Sequence, residues 1–173
     1  MTRTLVMIHG MWGTHASWDH YRQFMEARGY HCVIPDLRHH GVSPQDPPPP
    51  GLGDTGLEDY ADDLEDLIRS LPEPPVIIGH SMGGLLAQLL AERGLGRAVV
   101  LLTPASPAGI NALKLSVIRS TLSIQSRWGF WSKPMRITFG EASYGILNRL
   151  SPEAQRQAYA TFVHESGRAA AEI

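Results

Sequence analysis

The stretch VIIGHSMGGLL, residues 76–86, decides the fold. Its first three residues form a short apolar run of the kind found in a strand buried on both faces. A helical pattern begins at Met82, with leucines three and four positions apart on one side. Between the two lies the pattern G-x-S-x-G, residues 79–83. The sequence therefore predicts a strand, a tight turn and a helix, with Ser81 in the turn.

A serine in such a turn can act as a nucleophile, because its hydroxyl projects from the end of the sheet towards a bound carbonyl carbon. Gly79 and Gly83 leave space where a side chain would collide with the neighbouring strand or helix. The start of the helix offers the amide of Met82 to a developing oxyanion. The alternative is that Ser81 only caps the helix. The strand before it and the helix after it favour the nucleophile.

A second motif, His-Gly-Met at residues 9–11, directly follows the apolar run of residues 5–8. A parallel sheet would place that first strand beside the strand before Ser81. An amide just past the glycine could then be the second oxyanion donor. We expect this donor to be the amide of Met11 rather than that of Trp12.

Two histidines lie next to these motifs, and neither is expected to be the general base. His9 is expected to hold its loop by hydrogen bonds. His80 precedes the serine in the turn and is expected to point away from it. A base must lie within hydrogen-bond reach of the serine hydroxyl, so geometry decides this question.

Strands and helices alternate through the first 103 residues, which predicts a parallel sheet with helices on its faces. Strands are expected at residues 5–8, 32–34, 76–78 and 98–102. The first helix is expected to be capped by Ser17 and to stop at Gly29. The second is expected to begin in a capping box of Thr55 and Glu58, and the third to stop at Gly94.

No metal site is expected. The outer face of the second helix carries a run of acidic residues, which is most simply a solvated face; they are Asp59, Asp62, Asp63, Glu65 and Asp66. The pair His39 and His40 also suggests a metal, but adjacent side chains diverge and no acidic cluster joins them. Neither group has the ligand number and convergence that a bound cation requires.

Composition excludes several function classes. The net charge of the 173 residues is −2, whereas a nucleic-acid or membrane-surface role calls for a basic stripe. No apolar run approaches the roughly 20 residues of a membrane span, and no signal peptide is expected. Cys32 is the only cysteine, so an intrachain disulfide is excluded. We expect a reducing, cytoplasmic compartment.

The alternation of strands and helices ends after Pro104. Residues 110–173 show no further inner strand, and residues 113–144 are expected to form helices packed over the top of the sheet. Ser151-Pro152-Glu153 is a helix start, and that helix is expected to run to about Val163. Five apolar residues of this segment would suit an apolar acyl or aryl group, although aromatic packing also explains them; they are Trp128, Phe130, Trp131, Met135 and Phe139.

Three stretches together resemble the α/β-hydrolase superfamily, in its small serine esterase, lipase and acyl-hydrolase branch. They are residues 9–13, residues 36–43 and residues 79–84. The middle stretch, DLRHHGVS, is similar to the family's D-x-R-G-H-G-x-S loop, with His39 where the family usually has glycine. The resemblance covers residues 4–103 well, and residues 110–170 are similar to the family's cap helices.

The resemblance implies an α/β fold, a three-layer sandwich whose parallel sheet has the order second, first, third, fourth strand. We expect a truncated α/β-hydrolase fold with a core at residues 1–109 and a helical cap or lid at residues 110–173. The implied chemistry is acyl transfer from a small-molecule carboxylic ester to Ser81, with the amides of Met11 and Met82 stabilising the oxyanion. No metal or organic cofactor is implied, and no nucleic-acid partner.

The family's order of catalytic residues is serine, then an acid, then histidine. Every aspartate here precedes Ser81, and His164 is the only histidine that follows it. Three interpretations stay open. The chain is a shortened hydrolase, or a working esterase with His164 or a second copy supplying the base, or a non-catalytic or self-assembling module. The family's sheet order also leaves the fourth strand as an exposed edge, which predicts self-association.

Overall fold

The computed structural model describes residues 3–107, 109–110 and 115–173. Four parallel strands form one sheet in the order second, first, third, fourth, as expected. The strands are β1 (Thr4–Ile8), β2 (His31–Val33), β3 (Val76–His80) and β4 (Ala98–Leu102). Ile8 at the end of β1 pairs with Gly79 near the end of β3, so the two predicted motifs are neighbours.

The two faces of the sheet bury different helices, because side chains alternate along each strand. Val6 and Ile77 pack on one face, in the buried cluster that contains the second and third helices. Met7 and Ile78 pack on the other face, against Trp18 at the start of the first helix. Helices therefore cover both sides of the sheet, which confirms the predicted three-layer α/β sandwich.

The core helices are α1 (Asp19–Glu26), α2 (Leu57–Arg69) and α3 (Met82–Glu92). The capping box predicted at Thr55 and Glu58 is wrong. Gly56 is the N-cap of α2, and the carboxylate of Asp59 accepts a hydrogen bond from its N–H at 2.8 Å. The helix therefore begins one residue later than the prediction, and only half of a capping box is formed, because glycine has no side chain to accept from the helix.

The start of the first helix also differs from the prediction. A 3₁₀ turn, His15–Trp18, precedes α1 and is capped by Thr14 rather than by Ser17. The hydroxyl of Ser17 instead accepts from the Thr14 N–H at 3.4 Å, completing a capping box. Gly29 lies in the turn after the helix with φ 80°, a left-handed conformation that suits the predicted stop.

The acidic face of α2 contacts two arginines. Arg38 pairs with Asp63 at 2.6 Å, and Arg93 pairs with Asp62 and Glu65, each at 2.8 Å. These partly exposed pairs join α2 to the loop after β2 and to the end of α3. Within the described ranges, no group of three or more potential ligands is arranged to hold a metal ion.

Short helices form a cap over residues 115–163. Its elements are α4 (Leu115–Ser120), α5 (Leu122–Gln125), a 3₁₀ turn (Phe130–Ser132), α6 (Phe139–Gly145) and α7 (Pro152–Ala160). The helices α4, α5 and α6 lie in the segment predicted to be helical, although it also contains two strand residues, Pro134–Met135; residues 113–114 lie outside the described residues. Ser151 caps α7 as predicted, but the helix ends at Ala160. No helix of the described chain is long and apolar enough to cross a membrane.

The cap contacts the core through Trp12. Its ring lies in a second buried cluster with residues of the cap, including Ile124 and Ile137. The N–H of Val163 donates to the carbonyl of Trp12 at 2.9 Å. Since Trp12 follows Met11 directly, the cap rests on the loop that carries the predicted oxyanion donor.

The last segment returns to the core. Two short antiparallel strands, β5 (Pro134–Met135) and β6 (Glu165–Ser166), were not predicted, and α8 (Gly167–Glu172) follows them. Ala169 packs in the same buried cluster as α2 and α3. The Leu57 N–H donates to Glu172 at 2.7 Å. Residues 165–172 thus contact the core as well as the cap. The division at residues 109 and 110 stays a prediction.

Candidate active site

Ser81 lies in a sharp turn between β3 and α3, with φ 55° and ψ −121°. A residue other than glycine is strained in this conformation, which persists only where surrounding contacts fix it. Its N–H donates to the Leu102 carbonyl at 3.1 Å. Its own carbonyl accepts from Ala105 and from Gly84, each at 2.9 Å. The end of β4 and the first turn of α3 therefore hold the serine in place.

The glycines of the motif are required by close backbone contacts. A methyl group on Gly79 would collide with the backbone of Gly83, and one on Gly83 would collide with the carbonyls of Ile8 and His9. These contacts bring the turn and the end of β1 together without room for side chains. The predicted roles of Gly79 and Gly83 thus have a direct geometric reason.

The predicted oxyanion donors lie on the two sides of this contact. A methyl group on Gly10 would lie 2.9 Å from Ser81 Cβ, so the Gly10–Met11 loop passes directly beside the serine. Met82 is the first residue of α3. Among the described residues, neither the Met11 amide nor the Met82 amide donates a hydrogen bond to the protein. Within the described chain both amides thus lack an acceptor, which is the condition that the predicted oxyanion role sets.

His9 holds the loop, as predicted. The Leu37 N–H donates to His9 Nε2 at 3.1 Å, so the hydrogen is on Nδ1, which donates to the Gly10 carbonyl at 2.9 Å. Burial, assisted by the neighbouring His40, lowers the pKa of His9 to about 4. The ring is neutral and both nitrogens are occupied, so His9 is not available as a base for Ser81.

A buried polar cluster below this loop was not predicted. His40 Nε2 lies 3.1 Å from Glu165 Oε2, and Tyr60 donates to Glu165 Oε1 at 2.9 Å. All three side chains are fully buried. His40 Nδ1 also faces a carbonyl, that of Arg38, at 3.0 Å. Since both ring nitrogens face acceptors, the geometry fits a protonated His40 paired with a charged Glu165.

The pKa shifts agree with an ion pair. Burial acts to lower the pKa of His40, but the charge and hydrogen bond of Glu165 outweigh it and raise that pKa. Burial acts to raise the pKa of Glu165, but His40, the Ser166 N–H and Tyr60 hold it below its usual value. The ring of His40 lies 5.2 Å from that of His9. The ion pair thus lies directly behind His9, which holds the loop of residues 9–13. We call this loop the oxyanion loop, after the role predicted for the Met11 amide.

The loop of residues 36–43 is fixed at its start by Asp36 and in its middle by the buried His40. The Asp36 carboxylate accepts from the His15 N–H at 2.7 Å and lies 2.8 Å from His15 Nδ1. His39 has φ 71°, a left-handed conformation, and His40 then enters the buried cluster. The departure from the family's glycine at position 39 therefore leaves the glycine-like backbone in place.

A base for Ser81 is not visible within the described chain. Ser81 Oγ forms no hydrogen bond with a described side chain, and the side chain of His80 is exposed. His164 is half-buried in the segment between α7 and β6, where burial and Arg136 lower its pKa. It follows Val163, the residue bound to the Trp12 carbonyl, so its backbone lies close to the oxyanion loop.

The apolar cap residues divide into two groups. Met135 is buried and Phe130 packs against the same cap cluster, whereas Trp128, Trp131 and Phe139 are exposed. Aromatic packing within the cap explains the first group. Packing within the cap does not explain why the two tryptophans, Trp128 and Trp131, are exposed to solvent.

Comparison with known proteins identifies the family. The model of the alpha/beta hydrolase family matches residues 5–172. The sn-1-specific diacylglycerol lipase ABHD11 of Mus musculus is 36% identical over 89 residues, which cover 50% of this chain and 27% of that protein. The non-heme chloroperoxidase CPO-A1 of Kitasatospora aureofaciens is 33% identical over 116 residues, 65% of this chain and 40% of that protein.

Solved structures agree on the fold. An extracellular alpha/beta-hydrolase from a Paenibacillus species superimposes with a TM-score of 0.75 at 19% identity, covering 94% of this chain and 66% of that one. The matches thus span less than two thirds of each of these three proteins. The family match, the parallel sheet and the turn at Ser81 lead to one conclusion: the chain belongs to the alpha/beta hydrolase family.

Proposed function

We propose that this member of the family is a serine hydrolase that acts on carboxylic esters through an acyl-enzyme at Ser81. One observation carries the proposal: the strained serine lies beside the Gly10–Met11 loop and directly before α3, and the amides of Met11 and Met82 have no acceptor in the described protein. This supports the proposal because an acyl transfer needs a nucleophile and preorganised donors that converge on one carbonyl group.

In the proposed reaction, Ser81 Oγ attacks the ester carbonyl carbon and its proton passes to a base. The carbonyl oxygen becomes an oxyanion that accepts hydrogen bonds from the two amides. The carbon–oxygen bond to the alcohol then breaks, and the alcohol leaves with a proton. Water attacks the acyl-enzyme in the same way, which releases the acid and restores the hydroxyl.

His164 is the first candidate for the base, because its segment binds the carbonyl of Trp12 beside the oxyanion loop. A base supplied by a second copy is the alternative. The mouse relative, named as a diacylglycerol lipase, supports an ester substrate. The chloroperoxidase relative supports only the shared scaffold, since fold alone does not define the reaction.

Turnover of p-nitrophenyl esters tests this proposal. We expect hydrolysis that Ser81→Ala abolishes and that Ser126→Ala, at an exposed serine of the cap, leaves unchanged. His164→Ala should lower kcat with little change in KM if His164 is the base. Turnover that survives Ser81→Ala would contradict the proposal.

A second candidate function is a non-catalytic or self-assembling module that retains the fold. The observation in its favour is the absence of a described side chain hydrogen-bonded to Ser81 Oγ. Well-folded protein without any Ser81-dependent turnover would support this candidate over the first.

We also propose that two copies associate through β4. This edge strand exposes Val100 and Leu101, which are 42% and 40% accessible to solvent, along an unpaired row of backbone groups. Exposed apolar edges favour pairing with another chain. Light scattering should show a dimer, and Val100→Lys should shift it towards the monomer. A monomer at high concentration would contradict this proposal.

A cytoplasmic location is proposed from the single cysteine, Cys32, which is a free thiol. Its pKa is raised, chiefly by burial, so the thiol stays protonated and unreactive. Fractionation of cells that express the tagged chain tests this location. Recovery from the culture medium would contradict it.

A further inference from the structure

The exposed tryptophans of the cap lie together on one turn. Trp128 is 86% accessible and Trp131 is 45% accessible, and their ring centroids are 5.3 Å apart. Phe130 lies 5.6 Å from Trp131 on the other side. A cluster of aromatic rings this exposed on a protein surface is unusual and typically marks a contact with another molecule. We call residues 127–133 the tryptophan turn.

Cations flank the tryptophan turn. Arg127 precedes Trp128, and Lys133 Nζ donates to the Trp128 carbonyl at 3.0 Å. Both side chains are exposed, and neither forms an ion pair with a carboxylate of the described chain. Their charges are therefore free to act on a partner.

The cap as a whole is basic. Residues 115–163 contain six arginine or lysine residues and two glutamates, although the full chain has a net charge of −2. The net charge, which argued against a membrane-surface role, thus conceals a separation of charge between the acidic core and the basic cap. Such asymmetry is typical of a segment that binds an anionic partner.

The tryptophan turn is held rigidly in its exposed position. Gly129 has φ 75°, and the Lys133 N–H donates to the Phe130 carbonyl at 3.0 Å. Phe130 packs against the buried cap cluster, and the Gly167 N–H donates to the Lys133 carbonyl at 3.1 Å. Because these hydrogen bonds hold the backbone of the turn, little backbone entropy is lost when the turn binds a partner.

We propose that the tryptophan turn docks the protein on an anionic lipid surface. Tryptophan rings favour the boundary between headgroups and acyl chains, and exposed arginine and lysine are attracted to anionic headgroups. A turn that combines both, on a basic cap, matches this chemistry. A second protein chain would instead be expected to bring carboxylates to Arg127 and Lys133, and the experiment below separates the two partners.

The tryptophan turn and the candidate active site contact the same buried cluster. Phe130 packs against the buried cluster that contains Trp12, and Met11 packs against that cluster as well. The tryptophan turn and the oxyanion loop are therefore joined by continuous packing. A protein docked in this way would favour substrates whose esters lie in a lipid layer. This extension rests on the proposed function, whereas lipid binding by the tryptophan turn does not depend on it.

Vesicle binding tests the proposal with the full chain carrying Ser81→Ala, so that the result does not depend on catalysis. We expect cosedimentation with vesicles of phosphatidylcholine and phosphatidylglycerol, weak cosedimentation with phosphatidylcholine alone, and a blue shift of tryptophan emission. Arg127→Gln with Lys133→Gln should weaken binding by about 20- to 30-fold at low salt. Trp128→Ala with Trp131→Ala should abolish the blue shift.

The matched control is Tyr21→Ala with Phe24→Ala, an exposed aromatic pair on α1 that is 50% and 48% accessible. This variant should bind vesicles as the parent does. The proposal is overturned if the parent does not bind anionic vesicles, or if the turn variants bind as well as the control. It is also overturned if the tryptophan variant instead dissociates a dimer, which would assign the turn to a protein contact.

Discussion

Glu165 accepts a hydrogen bond from His40, with 3.1 Å between Oε2 and Nε2, and no atom of either side chain is exposed. The two residues lie 125 positions apart in the sequence. Their ion pair joins the loop after β2 to the segment that follows the cap. It also lies behind His9, the residue that holds the oxyanion loop. The buried ion pair and the loop of the candidate site are therefore in contact at this point.

Replacing Glu165 by glutamine should destabilise the fold by about 3–5 kcal/mol, because a buried His40 would lose its compensating charge. Chemical denaturation measures this change. Glu153→Gln is the control, since Glu153 is an exposed acid on α7 and its pair with Arg156 should contribute about 0–1 kcal/mol. Equal effects of the two substitutions would show that the buried pair has no special role.

Replacing Ser81 by glycine should give a more stable protein than replacing it by alanine. At φ 55° and ψ −121° alanine keeps the backbone strain, whereas glycine relieves it. We expect a difference of about 1 kcal/mol in the free energy of unfolding, after the greater chain entropy of glycine is included. An alanine variant as stable as the glycine variant would mean that the turn is not strained.

His39→Gly should raise the unfolding temperature slightly. Position 39 has φ 71°, and histidine adopts this conformation with more strain than glycine does. The expected gain is about 0.5 kcal/mol. Gly51→Ala is the opposite control, because Gly51 has φ 86° and alanine there should destabilise. A loss of stability in His39→Gly would show that the imidazole makes a stabilising contact.

Acidification should destabilise the fold through His9. Because its folded pKa, about 4, lies below the unfolded value near 6.5, the unfolded chain binds the proton first. This contribution is complete above pH 6.5 and decreases as the pH falls towards 4. Between pH 7 and pH 5 it amounts to about 2 kcal/mol.

The comparison with His9→Asn isolates this contribution. His40 has a raised pKa and acts in the opposite direction, with stability lost as the pH rises through its folded pKa. That opposing effect is present in both proteins. Denaturation at pH 7 and pH 5 should therefore show a smaller loss in the variant, and an equal loss would mean that His9 is not buried and neutral.

The features that the sequence predicts correctly are those that depend on residues close together in the chain. The strands at β1, β3 and β4 are short apolar runs, and their parallel order follows from the strand–helix alternation and the family resemblance. The glycines around Ser81 identify the turn because only close backbone contact requires them. The start of α7 at Ser151 and Pro152 is also local chemistry.

Contacts between distant segments were not predictable in this way. His40 and Glu165 carry no spacing signal, and a histidine in a loop gives no sign that it is buried. The N-cap of α2 at Gly56 was not predicted because threonine is a stronger N-cap residue than glycine. The hydroxyl of Thr55 donates to the Gly51 carbonyl and does not cap the helix. The basic cap was hidden by the charge of the whole chain.

The activation of Ser81 is the central claim, and intact mass after incubation with a fluorophosphonate tests it most directly. An activated Oγ bonds to phosphorus, and fluoride leaves as the proton passes to the base. The account predicts a single adduct on the parent protein and none on Ser81→Ala. Well-folded parent protein without an adduct, or an adduct that persists in Ser81→Ala, would contradict it.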